Sequence, residues 1–97
     1  MEARRLSSQM FLTVIETGPL SFGAFAPDIQ GCAAFSVSKD EVKSLFKVAA
    51  DAHLRELAKC GEPLPTAETT EIPGLTVGVP SGAITLEWTT VELPAVA

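Results

Sequence analysis

The stretch "SKDEVKSLFKVAADAHLRELAKCG", Ser38 to Gly61, decides the fold. Ser38 with Glu41 is a capping-box pair: the hydroxyl satisfies one free N–H of the first turn and the carboxylate reaches back to another. Asp40 and Glu41 lie where the helix dipole favours acids. Val42, Leu45, Phe46, Ala49, Ala52, His53, Leu57 and Cys60 recur at helical spacing and form one apolar stripe. Lys59 suits the last turn, and Gly61 suits the left-handed position after it. The spacing predicts a helix about 33 Å long at 1.5 Å rise per residue, enough to cross a small sheet.

On either side of this helix the sequence reads as strands. "QMFLTVIE" is rich in β-branched and aromatic residues. It carries apolar side chains on both alternating faces, Met10, Leu12 and Val14 against Phe11 and Ile15. "TGPL" is a turn signal, and "SFGAFA" a second strand with small residues at Gly23, Ala24 and Ala26. "PDIQG" turns the chain into a third short strand, "CAAFSV". After the helix, residues 66–82 form an irregular connection in which "LTVGV" is a candidate short strand. Residues 83–93 form the last strand, with Ile84, Leu86 and Trp88 on its apolar face. Residues 1–8 and the "LPAVA" end read as loose. The expectation is a single α+β domain over 1–97, in the order β-β-β-α-β, with the helix on one face of an antiparallel sheet. A first strand apolar on both faces needs a second cover, and self-association through the sheet would supply it.

At 97 residues the chain buries about 60–65% of its unfolded surface, a thin core. Yet 46% of its residues are hydrophobic and the mean hydropathy is +0.29. Some apolar surface is therefore expected to meet another chain. A net charge of −5 argues against direct nucleic-acid binding and against an anionic membrane surface, and suits a basic partner. No run approaches the roughly 18 apolar residues of a membrane helix. The N-terminal run is interrupted by Ser7, Ser8, Gln9 and Thr13 and lacks a signal-peptide cleavage pattern. Two cysteines without a CxxC pair, and nothing pointing to secretion, suggest a reduced, cytoplasmic protein.

Candidate chemistry centres on "PDIQGC", Pro27 to Cys32. Asp28 is a candidate general base or metal ligand, but Glu16, Asp28, Glu87 and Glu92 are too scattered for a nuclease-type cluster. The structural alternative is a turn in which Asp28 bonds its own backbone two residues on and Gly31 supplies an unusual dihedral. Cys32 would need a base to act as a nucleophile, and the single histidine, His53, lies on the helix stripe. The simpler reading is a buried thiol and a core imidazole. One histidine and two cysteines leave too few ligands for zinc. No phosphate loop or hydrolase motif occurs, so no cofactor is expected. Lys39, Lys43, Lys47, Arg55 and Lys59 share an i+4 row interrupted by Asp51, and read as a solvated face.

The combination "FGAFAPDIQGCAAFSVSKDEVKSLFKVAADAHLREL" followed by "GEPLP" resembles the HicB-type antitoxin domain. Pro27, Asp28, Gly31, Cys32, Ser38, Glu41, Ala49, His53, Leu54, Gly61 and Pro65 fall at positions matching that family's pattern, over residues 10–65. Gln30, Ser36 and Val48 depart from it, and the segment from 66 to 83 is longer than the family suggests. The resemblance implies a partial ribonuclease-H-like fold without nuclease carboxylates, dimers or tetramers, and a domain that binds and blocks a small basic HicA-type mRNA-cleaving toxin. Nothing after Trp88 is expected to form the DNA-binding segment that full antitoxins add. The alternatives are an oligomeric interaction module of the same fold without a toxin, and a small hydrolase or nuclease using Asp28 or Cys32.

Overall fold

The structure, a computed structural model, describes residues 7–93. The expectations for residues 1–6 and 94–97 lie outside it. Its elements are β1 (Ser7–Thr17), β2 (Phe22–Ala26), β3 (Ile29–Ser36), α1 (Lys39–Lys59) and β4 (Ile84–Leu93). The strands form one sheet in the order β3-β2-β1-β4, every neighbour antiparallel. With one helix packed on that sheet, the fold is α+β. Ser7 and Ser8 are not loose: they pair with Leu93 and Glu92 and begin β1.

The helix-side core joins Phe11 and Ile15 of β1, Ala24 and Ala26 of β2, and Ile29, Cys32 and Ala34 of β3 to Val42, Phe46, Ala50 and Leu54 of α1. The buried helix row thus runs at i+4. Ala50 and Leu54 are fully buried, whereas Leu45, Ala52 and Cys60 of the expected stripe are exposed. The reason is geometric: an i+4 row drifts slowly around the helix, and the small side chains of β2 and β3 let that row approach closely. Phe11 and Phe46 are the largest fully buried side chains, and burial of each contributes about 1.5–3 kcal/mol.

The helix ends are closed locally. Ser38 Oγ accepts from Glu41 N–H at 3.3 Å. Glu41 does not reach back to the Ser38 N–H. The Ser36 hydroxyl stands between them, donating to the Glu41 carboxylate and accepting from Ser38 N–H at 3.3 Å. At the other end, Gly61 adopts φ +71°, its N–H bonds Ala58 O, and Glu62 N–H bonds Leu57 O, a Schellman closure.

The sheet face away from the helix is partly covered by the chain itself. Ile72 and Leu75 pack against Leu12, Val14 and Leu86. The apolar side of β4 therefore faces the connection, while Thr85 and Glu87 face the helix. Lys39 reaches Thr85, Lys43 pairs with Glu87 at 3.4 Å, and Lys47 pairs with Asp51 at 3.1 Å. The expected solvated lysine row instead latches α1 to β4. "LTVGV" contributes single bridges, Thr76 to Val79 and Val77 to Leu86, and no full strand.

Candidate functional site

The turn between β2 and β3 is confined to Pro27 and Asp28. Ile29 already pairs with Ala26, and a bulge at this point places Gly31 at φ +79° within β3. Asp28 does not bond its own backbone two residues on. Its Oδ2 accepts from Glu68 N–H at 2.8 Å and Thr69 N–H at 2.7 Å, and its Oδ1 accepts from the Thr69 hydroxyl at 2.8 Å. Burial pushes the Asp28 carboxyl up, but the two Thr69 bonds and the Glu68 bond outweigh it and hold its pKa below the ordinary 3.8. A carboxylate with three donors in place is a clamp on the connection, and its proton affinity is lowered rather than raised toward that of a base at neutral pH. Gln9 makes a second clamp: its amide donates to Pro65 O at 3.4 Å and accepts from Ala67 N–H at 2.7 Å.

These two clamps shape an open cleft of about 560 Å³ between the turn, the C-terminal half of α1 and the connection. Ile29, Leu57 and Leu64 give it an apolar floor, and Asp28, His53 and Glu68 lie on its rim. His53 thus lines a surface cleft rather than the core, with its ring beside Gly31, where a Cβ would lie 3.9 Å from Cε1. Cys32 is buried, its thiol pushed up by burial, and no hydrogen bond links it to His53 among the described residues. A thiol so placed is a poor nucleophile. Among the described residues no three His, Cys, Asp or Glu side chains converge as a metal site, and no helix is long and apolar enough to cross a membrane.

Exposed apolar side chains gather on the helix-distal face. Met10 of β1, Phe25 of β2, Phe35 of β3 and Trp88 of β4 remain accessible there, Phe35 by 71%. The ring of Phe35 lies over Gly23, whose missing Cβ would stand 3.1 Å from Cε1.

Charge divides along the chain. Residues 1–59 hold seven acids and seven bases, whereas residues 60–97 hold Glu62, Glu68, Glu71, Glu87 and Glu92 and no base, the entire net charge of −5. Lys43 engages Glu87, and the acids of the connection, Glu62, Glu68 and Glu71, are all exposed in a part of the chain that holds no base. Neither the Asp28 clamp nor the Gln9 clamp is visible as a spacing, because their partners lie about 40 and 57 residues away.

No protein-family model matches the chain, and no curated protein matches it. A solved structure does: a chain of the "HicA3 and HicB3 toxin-antitoxin complex" superposes with a TM-score of 0.63 at 20% identity, covering 86% of this chain and 98% of that one. The protein therefore shares its fold with a component of a toxin–antitoxin complex.

Proposed function

We propose that this protein is a non-enzymatic, cytoplasmic HicB-like domain that binds and neutralises a small basic mRNA-cleaving partner of the HicA type. The observation that carries the reading is the fold shared with a chain of the HicA3 and HicB3 complex over most of both lengths. The "PDIQGC" turn, the Ser38-capped helix and Gly61, which resemble the HicB pattern, favour the antitoxin side. The exposed acids Glu62, Glu68 and Glu71 supply a surface that attracts a basic protein. A binding role also suits Asp28 and Cys32, since one is saturated by donors and the other is buried.

Self-association belongs to the same reading. Met10, Phe25, Phe35 and Trp88 leave large apolar side chains accessible on one face, a surface suited to contact with another chain. The experiment is to inspect the neighbouring reading frames for a small basic protein and co-express it with this chain. Rescue of growth and co-purification would support the reading. Growth arrest unrelieved by this chain, with no complex recovered, would overturn it in favour of an oligomeric module without a toxin.

A further inference from the structure

The two outer edges of the sheet are treated differently. Thr17 N–H bonds Ala83 O, which fixes the alternation of the ladders. It turns the backbone groups of Leu86, Trp88, Thr90 and Glu92 outward along β4, and those of Ala33 and Phe35 outward along β3. The β4 edge is partly closed by the chain itself, although no hydrogen bond reaches the outward groups of Trp88 among the described residues. Gly78 N–H bonds Leu86 O, and Ser81 and Ile84 exchange backbone bonds. Lys47 Nζ donates to Thr90 O at 3.0 Å, and Glu92 N–H donates to Asp51 Oδ1 at 3.0 Å. Along β3, no hydrogen bond reaches the outer edge among the described residues. An open edge is a template for another strand.

Beyond the bulge at Gly31, that edge lacks the charges and prolines that keep strands apart. Residues 29–38 carry no charge, and Asp28 is the single charged residue from Thr17 to Ser38. Its carboxylate is occupied by Glu68 and Thr69. Ala33 and Phe35 are exposed on the helix-distal side of the same strand, and Val37 is exposed just beyond its end. A basic partner is drawn to the acidic connection, not to this neutral edge. An equally neutral surface fits here, and the chain offers one in its own β3.

We infer that a second copy of this chain docks antiparallel along β3, joining two sheets into one continuous sheet. A two-fold axis at Ala34 sets Ala33 of each copy opposite Phe35 of the other, so each ring faces a small side chain and the outward N–H and C=O groups of both residues are paired. This inference rests on the self-association proposed above and names its surface.

The test uses the full chain and two variants. Ala33→Pro removes one outward N–H, which the intrachain ladder does not use, so the monomer fold tolerates it. Phe35→Lys sets a charge on an exposed position of the edge. Light scattering at micromolar concentration is expected to give a dimer or larger assembly for the wild type and half its mass or less for both variants, with unchanged far-UV circular dichroism. Amide exchange at Ala33 and Phe35 is expected to slow as concentration rises. A monomeric wild type would overturn both self-association and this surface. An oligomeric wild type whose mass survives in either folded variant, or whose Ala33 and Phe35 amides exchange at a concentration-independent rate, would overturn the β3 edge alone.

Discussion

Asp28 and Thr69, 41 residues apart, are joined through both oxygens of one carboxylate: Thr69 N–H donates to Oδ2 at 2.7 Å and its hydroxyl to Oδ1 at 2.8 Å. With Glu68 N–H on the same Oδ2, this contact fixes the acidic connection against the β2–β3 turn. The residue that first looks catalytic is thus the anchor of the surface assigned to partner binding. Asp28→Asn retains the shape and removes the charge that strengthens three bonds. It is expected to cost about 1–3 kcal/mol in urea unfolding and to speed amide exchange at Glu68 and Thr69. Unchanged exchange at those two amides would contradict the clamp.

The same contact has a pH signature. The Asp28 carboxyl is desolvated, which raises its pKa, but the hydrogen bonds from Thr69 and Glu68 bring it below 3.8. A folded-state pKa below the unfolded one adds stability that is present above about 3.8 and is lost as pH falls through the lower folded value. The difference in urea midpoint between wild type and Asp28→Asn should therefore be constant near neutrality and shrink in acid below that point. A gap that widens in acid would reverse the sign and contradict the assignment.

At the helix start, Ser36 links Ser38 N–H to the Glu41 carboxylate. Ser36→Ala leaves that N–H and that carboxylate without their bridge, in addition to the Ser38 cap itself. Ser36→Ala and Ser38→Ala are each expected to lower stability by about 1 kcal/mol, and the double variant by less than their sum because both act on one network. Fully additive losses by denaturant titration would show that the two serines act independently.

The thiols should separate by accessibility. Cys32 is buried and its pKa is raised by burial, whereas Cys60 is exposed at the helix end. Iodoacetamide at mildly alkaline pH should modify Cys60 in the folded protein and reach Cys32 at a comparable rate only in denaturant. Rapid labelling of Cys32 near pH 6 would reopen its reading as a nucleophile.

The helix and the three-strand start were legible because their signals are local: a cap, a 3.6-residue period, two turns and alternating side chains. Ser38 as the cap and Gly61 as the stop could be placed from spacing alone, whereas the Glu41 carboxylate turns to Ser36 instead of the Ser38 N–H. The buried row was only half legible, since Leu54 and Ala50 replace Leu45 and Ala52 where α1 packs on the small residues of β2 and β3. The alternation of β4 was legible, with Ile84, Leu86 and Trp88 on one face, but what covers each face was not. The lysines of α1 satisfy Thr85 and Glu87 underneath the helix, while Ile72 and Leu75 cover the apolar side. The cleft was not legible at all, because Asp28 and Gln9 find partners in an aperiodic segment that no local rule positions.

The most direct measurement is the mass of the species recovered when this chain and a small basic HicA-type protein are co-expressed and purified together, read by size-exclusion chromatography with light scattering in low and high salt. The account predicts a stable assembly containing both chains, weakened by salt and by Glu62, Glu68 and Glu71 changed together to Lys. Recovery of this chain with no basic protein bound, while the basic protein alone remains toxic, would contradict it.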